Sequence, residues 1–276
     1  MVRRMHSPLQ IAPLTGWQNY QLGPLGELSA FLTMEERRAF AWMAQEVYTG
    51  AGEIVDAGAW LGGSARCFAH GLQANQRVEL KDGRIHSFDM FRKFRGGAVD
   101  VAPAMQALSD GDTFLDQTHD QLGELDSMVT LYPGDITART WRGGPIELLM
   151  LDCSKAAVTD AHCLRQFFPA LIPNRSYVLH QDYGIVSNLW WIHASMYLLR
   201  DHFAFSGDMG RGGTVLFKCV KEITAVDVEA ALGRLVPAVR EVLAEQAALF
   251  MEPAGNRCAN AIRETSKAFG ARSPAR

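Results

Sequence analysis

The sequence predicts an α/β fold: a doubly wound, mostly parallel sheet of about seven strands, with one antiparallel edge strand and helices added at both termini. Three observations carry this. Short apolar runs alternate with stretches of helical periodicity between residues 53 and 220, and each of the first five runs ends in or just before an acidic residue. The composition, 48% hydrophobic and 21% charged over 276 residues, is that of a globule able to bury its core without a metal or disulfide staple. The expected organisation is an N-terminal arm and helix (1–50), a central ligand-binding domain (51–222) and a helical extension (223–276).

Residues 1–30, rich in Pro, Gly and Gln, read as an irregular arm. Thr33-Met34-Glu35-Glu36 is a capping box, in which hydroxyl and carboxylate each satisfy a helix-start amide. It opens a helix through Tyr48 with Phe40, Met43, Ala44 and Val47 on one face. Ile54-Val55 reads as a strand ending at Asp56-Ala57-Gly58, and a helix is expected from Gly62 to Ala74. The runs Ile85–Phe88, Val129–Tyr132 and Ile146–Leu151 end at Asp89, Pro133-Gly134-Asp135 and Asp152. Ala161, Leu164, Phe167, Phe168 and Leu171 form the buried stripe of the next helix. Ser176–His180 ends at Gln181-Asp182, before a helix over 188–199. Phe203–Ser206 and Thr214–Val220 flank a glycine-rich turn and close the sheet as a hairpin. After Thr224 the chain reads as helical through Phe250 and again from Cys258 to Phe269, with a frayed tail from Ala271.

Several function classes are excluded by composition. With 27 basic and 30 acidic residues the net charge is −3, which offers no electrostatic footprint for nucleic acid or an anionic membrane. No apolar run reaches the roughly 18 residues a membrane span needs, and the N-terminus lacks the apolar core of a signal peptide. The five cysteines have no C-x-x-C spacing, which fits free thiols in a reducing cytoplasm.

In doubly wound sheets, ligands bind beyond the carboxyl ends of the strands, so Asp56, Asp89, Gly134-Asp135, Asp152 and Gln181-Asp182 are the residues to read. Asp and Gly also serve ordinary turns; acids at five successive strand ends favour a site. The first turn, Asp56-Ala57-Gly58-Ala59-Trp60-Leu61-Gly62-Gly63-Ser64, resembles two familiar loops and satisfies neither. Trp60 stands where the dinucleotide fingerprint needs its second glycine, and the phosphate loop's lysine is missing before Ser64. What remains is an acid after each of two strands. Asp89 suits the paired hydroxyls of a ribose, and Asp56 suits an ammonium group.

S-adenosylmethionine carries both. On Asp56-x-Gly58-x-x-x-Gly62-Gly63-Ser64, Phe88-Asp89-x-Phe91, Gly134-Asp135, Leu151-Asp152 and Asp182-Tyr183-Gly184, the chain resembles the class I S-adenosylmethionine-dependent methyltransferases. It is most similar to the macrocin and mycinamicin sugar O-methyltransferase type. The resemblance spans residues 53–220 and implies a Rossmann-like fold and methyl transfer to an oxygen of a small molecule or sugar precursor. It implies that Asp56, Gly58, Gly62, Gly63 and Ser64, with Ala59 and Trp60 among them, hold the methionine end. Asp89 would hold the ribose and Gly134-Asp135 would lie near the adenine, with Met90, Ile136 and Asp152 also among the cofactor-binding residues.

Departures from that family bear on metal and base. Its metal-dependent members end the corresponding strands in Asp-x-Asp and in two adjacent acids; here Ser154 and Gln181 replace two of them. Asn174-Arg175 stands in place of a glycine pair. Asp152 and Asp182 alone are a thin oxygen set for Mg²⁺, so a divalent metal is possible but not favoured. Candidates for proton removal are His180, Asp182 and Lys155. On the metal-free reading His180 carries most of it, although a strand-end histidine can equally be buried against a backbone partner. His193, with Trp190, Trp191 and Tyr197, reads either as core or as the wall of an acceptor pocket. The segment from Phe91 to Asp112, with Arg92, Lys93, Phe94 and Arg95, reads as a cover that would favour an anionic acceptor. The alternative function is a nucleoside-binding regulatory module that has lost catalysis. Val228, Ala231, Leu232, Leu235, Val239 and Leu243 offer an apolar side expected to cap the sheet or, preferably, to form a homodimer.

Overall fold

A computed structural model describes residues 9–10, 12–93, 102, 105–252 and 255–271. Among these are eight strands: β1 (Leu9–Gln10), β2 (Glu53–Ala57), β3 (Ile85–Asp89), β4 (Val129–Pro133), β5 (Ile146–Leu151), β6 (Tyr177–His180), β7 (Phe203–Asp208) and β8 (Val215–Cys219). The helices are α1 (Met34–Trp42), α2 (Gly63–Ala74), α3 (Leu115–Leu122), α4 (Ala157–Phe167), α5 (Trp190–Leu198), α6 (Ala225–Leu232), α7 (Arg240–Met251) and α8 (Asn256–Ala271). The alternation of strand and helix is the expected one. The chain divides into two compact units, Thr15–Arg139 and Met1–Leu14 with Thr140–Arg276. The boundaries expected at residues 50 and 222 fall within these units.

In the unit Thr15–Arg139, β2, β3 and β4 form a parallel ladder, with Ala57 opposite Phe88 and Asp89 opposite Pro133. The Thr33–Glu36 capping box opens α1 as the sequence predicts. The helix does not continue regularly to Tyr48; it widens into a π-turn over Met43–Val47. Asn75 supports that departure by donating its amide to the carbonyls of Ala44 and Tyr48, both at 2.8 Å. Helices α1 and α2 approach so closely that a Cβ on Gly71 would lie 1.9 Å from the Ala41 carbonyl oxygen. Glycine within a helix costs about 1 kcal/mol. Here it permits the Phe40–Phe68 ring stack at 5.3 Å.

In the other unit, β5 and β6 pair in parallel, with Leu151 opposite His180. Strand β8 is the expected antiparallel strand, and it pairs with both β6 and β7. It is therefore not at the edge: β7 lies outside it, and the two-residue β1 pairs in parallel with β7. Asn174 adopts a left-handed conformation (φ 62°), which asparagine tolerates well, where the resembling family has glycine. Helix α5 is buried along nearly its whole length. The expected helix from Thr224 to Phe250 is interrupted after α6, because Pro237 has no N–H to continue it and instead opens a 3₁₀ turn. Thr224 and Asp227 form a second capping box at the start of α6. No helix of the described residues is long and apolar enough to cross a membrane.

Candidate active site

In the unit Thr15–Arg139, the turns after β2 and β4 are tied to the end of β3. The N–H groups of Gly58 and Ala59 donate to the Phe88 carbonyl at 2.8 and 3.2 Å, and that of Gly134 to the Asp89 carbonyl at 2.9 Å. The turn after β2 runs through left-handed conformations at Gly58 (φ 106°), Trp60 (φ 44°) and Gly62 (φ 79°). For a tryptophan this is strained backbone. Two contacts hold it: the Trp60 N–H donates to Asp89 Oδ2 at 3.0 Å, and its ring packs on Phe31 with centroids 4.4 Å apart. Phe91, also left-handed (φ 47°), donates its N–H to Asp89 Oδ1 at 3.0 Å. Asp89 is thus oriented by neutral amides and keeps acceptor capacity for a ligand. Its burial raises the carboxyl above the ordinary range, and the Phe91, Trp60 and Met90 amides oppose that rise.

Asp56 takes a different position from the one its ammonium-binding role requires. It is fully buried, and Ser64 Oγ donates to both its oxygens at 2.9 and 2.8 Å while Ser87 Oγ donates at 3.2 Å. Burial pushes its pKa up to about 6, against the lowering by the two serines and the Ala65 amide. Its carboxylate fixes the first turn of α2 from inside. Gly63 opens that helix, where a Cβ would lie 2.4 Å from Ala30 Cβ. Met90 is 46% exposed, Ile136 is buried, and Asp135 caps its own turn by accepting from Thr137 N and Oγ1 at 2.8 Å. Of the expected cover, residues 94–101 and 103–104 lie outside the described residues. Of its basic cluster Lys93 is spent on the Leu108 carbonyl at 2.7 Å, and Arg92 donates to the Gly111 carbonyl at 3.3 Å.

In the other unit, Asp152, Lys155 and Asp182 come together. Lys155 Nζ donates to Asp152 Oδ1 at 2.5 Å and also to Asp182 Oδ2. Burial pulls the Lys155 ammonium down, but the two carboxylates outweigh it and hold the pKa above its ordinary value. Lys155 is therefore a cation and donor here, not the base the sequence offered. Asp182, two residues beyond the end of β6, has a left-handed backbone (φ 61°). Asp152, expected with the cofactor residues, is instead engaged with this lysine. Among the described residues no cluster of three or more His, Cys, Asp or Glu is arranged for a metal. A hard divalent ion asks for six or more oxygens. The two carboxylates with an ammonium between them do not fit one.

His180 adopts the buried alternative. It is 1% exposed, its Nδ1 lies 3.1 Å from the Gln181 carbonyl, and burial lowers its pKa to about 4. That corrects the expectation that it removes the acceptor's proton: the ring is sealed from solvent and is a weak base. His193 is likewise buried, with Nε2 2.9 Å from the Tyr183 carbonyl and a pKa lowered to about 4 by burial. Trp190, Trp191 and Tyr197 are core residues, and Trp191 Nε1 donates to the Ser154 carbonyl at 2.9 Å. Gln181 is engaged by the Thr214 hydroxyl. The Lys155 bridge and the Trp191 tie were not read from the sequence. Only the i, i+3 spacing of Asp152 and Lys155 signalled either.

Residues 55–183 match a family described as a methyltransferase domain. The matched stretch, just under half of the chain, is similar to a methyltransferase domain. The match begins within β2 and ends at Tyr183, so it spans both groups of strand-end acids. The O-methyltransferase NovP is 14% identical, over 71% of this chain and 84% of that one, with a TM-score of 0.54. At that identity the likeness is one of fold alone, and the fold is Rossmann-like. The calicheamicin methyltransferase CalS11 is also similar, 17% identical over 67% of this chain and 79% of that one, with a TM-score of 0.49. No curated protein matches the chain.

Proposed function

We propose that this methyltransferase takes S-adenosylmethionine as donor and methylates an oxygen of a small-molecule or sugar-containing acceptor. The observation that carries the donor is Asp89, a carboxylate held by the Trp60 and Phe91 amides beside a turn of left-handed residues. Such a carboxylate accepts from both hydroxyls of a ribose. Gly58, Ala59, Gly62, Gly63 and Ser64 would hold the methionine end, with Asp56 stiffening that turn from beneath. Met90, Gly134, Asp135 and Ile136 would flank the adenine. When bound, S-adenosylmethionine supplies a methyl carbon on a sulfonium, transferred as the C–S bond breaks with its electron pair left on sulfur.

The chain's own task is then to orient the acceptor and take one proton. Asp182, part-exposed beside Lys155, accepts the hydroxyl proton and returns it to water. Asp152 fixes the lysine. An oxygen acceptor is supported by this pairing of carboxylate and ammonium, which suits a hydroxyl, and by NovP being an O-methyltransferase. Incubation with methyl-labelled S-adenosylmethionine and a panel of sugar nucleotides and hydroxylated small molecules should give labelled product and S-adenosylhomocysteine. Cofactor binding with no transfer to any acceptor would favour the second reading, a binding module without catalysis, to which the engaged Gln181 side chain points.

The five free thiols support a reducing, cytoplasmic setting. Val228, Ala231 and Leu243 are buried within the chain, so a homodimer would use the exposed Val226, Val236, Val239 and Val242. Sedimentation giving only the monomer mass at micromolar concentration would count against it.

A further inference from the structure

We propose that the Lys155 ammonium fills the place of a divalent ion between Asp152 and Asp182, and binds the acceptor hydroxyl through its remaining N–H. The inference rests on the methyltransferase reading above and deepens it.

An ammonium has three donors. Among the described residues two are used, one on Asp152 Oδ1 at 2.5 Å and one on Asp182 Oδ2. The Lys155 side chain is 55% exposed, so the third donor has room for a ligand oxygen. The lysine end of the bridge is open to water, where ion pairs add little to stability, so stability alone gives little reason for it.

The surrounding backbone holds all three groups in place. The Lys155 N–H donates to the Cys153 carbonyl at 2.7 Å, and Trp191 clamps the Ser154 carbonyl at 2.9 Å. The Gln181 N–H donates to the Leu151 carbonyl at 3.0 Å, aligning the two strand ends from which both carboxylates project. Gln181 itself is turned to Thr214 and adds no oxygen to the cluster.

Electrostatics gives the same answer. Two carboxylates and one ammonium sum to −1, and a divalent cation entering between them would meet the ammonium at contact distance. The ammonium supplies what such an ion would: a positive charge beside the acceptor oxygen as its proton leaves for Asp182.

The test is Mn²⁺ titration followed by electron paramagnetic resonance, with wild type, Lys155→Met and Lys155→Arg. Wild type and Lys155→Arg should bind Mn²⁺ weakly, and Lys155→Met, which exposes both carboxylates, about tenfold more tightly. Tight Mn²⁺ binding by wild type, or no gain in Lys155→Met, would overturn the proposal. In turnover, wild type should be indifferent to EDTA. Lys155→Met should lose ~100-fold in kcat, with partial rescue by propylamine or Mg²⁺. S-adenosylhomocysteine affinity, read by calorimetry, should be unchanged in Lys155→Met. Absence of that affinity in wild type would instead defeat the methyltransferase reading, so the two failures are distinguishable.

Discussion

Asp89 and Asp182 both stand at the carboxyl end of a parallel strand, yet they are held by opposite chemistry. Asp89 accepts from two backbone amides, and its neighbour Asp56 from two serine hydroxyls. Asp182 and Asp152 share a lysine ammonium. Neutral donors orient a carboxylate and leave its charge for a ligand; a cation cancels much of that charge and adds a donor of its own. One region is thus suited to the hydroxyls of a nucleoside. The other is suited to an oxygen that must lose a proton.

The largest expected effect lies in the second region. Asp182→Asn should lower kcat by ~100-fold or more, the scale of a lost general base, with cofactor affinity little changed. His180→Ala, by contrast, should cost less than about tenfold, because the ring is buried away from solvent. Steady-state kinetics on both variants sharpens the comparison, and the reverse ranking would return proton removal to His180.

Next comes the first region. Removing the Asp89 carboxylate deletes charge-assisted hydrogen bonds of about 1.5–3 kcal/mol, so Asp89→Ala should weaken S-adenosylhomocysteine binding by roughly 10- to 100-fold. Gly63→Val tests the turn beneath it. A side chain there collides with Ala30, and overpacking of this kind costs about 1–3 kcal/mol, read as a lower urea midpoint.

The smallest effect is a pH dependence. The folded-state pKa of Asp56 is raised to about 6 by burial, so its contribution to stability is present in acid and is lost as pH rises through that value. Asp56→Asn removes the loss. Its stability relative to wild type, from urea unfolding, should therefore rise between about pH 4 and 6 and level off above. A difference that stays flat across that window would mean that Asp56 ionises at its ordinary pKa. His180 has the opposite sign: its pKa is lowered to about 4, so its contribution is full above its ordinary range and is lost as pH falls toward 4.

What the sequence made legible follows the same division. The Thr33 capping box, the ends of β2 to β6 and the glycine turn depend on neighbours within a few residues, and they can be read from local pattern. Asp89 was legible because its partners, Trp60 and Phe91, lie in the same recognisable loops. The burial of Asp56 and His180 was not, since strand-end residues look alike until the sheet is covered. Nor was the bridge from Lys155 to Asp182, which joins residues 27 apart through the pairing of β5 with β6. Pro237 was visible, and its interruption of the final helical stretch should have been expected.

The central claim is that the loops after β2, β3 and β4 form a nucleoside site for the methyl donor. Its most direct test is calorimetric titration of S-adenosylhomocysteine into the wild-type chain. The account predicts a saturable single-site isotherm at micromolar concentration. No heat and no saturation at millimolar ligand would contradict it.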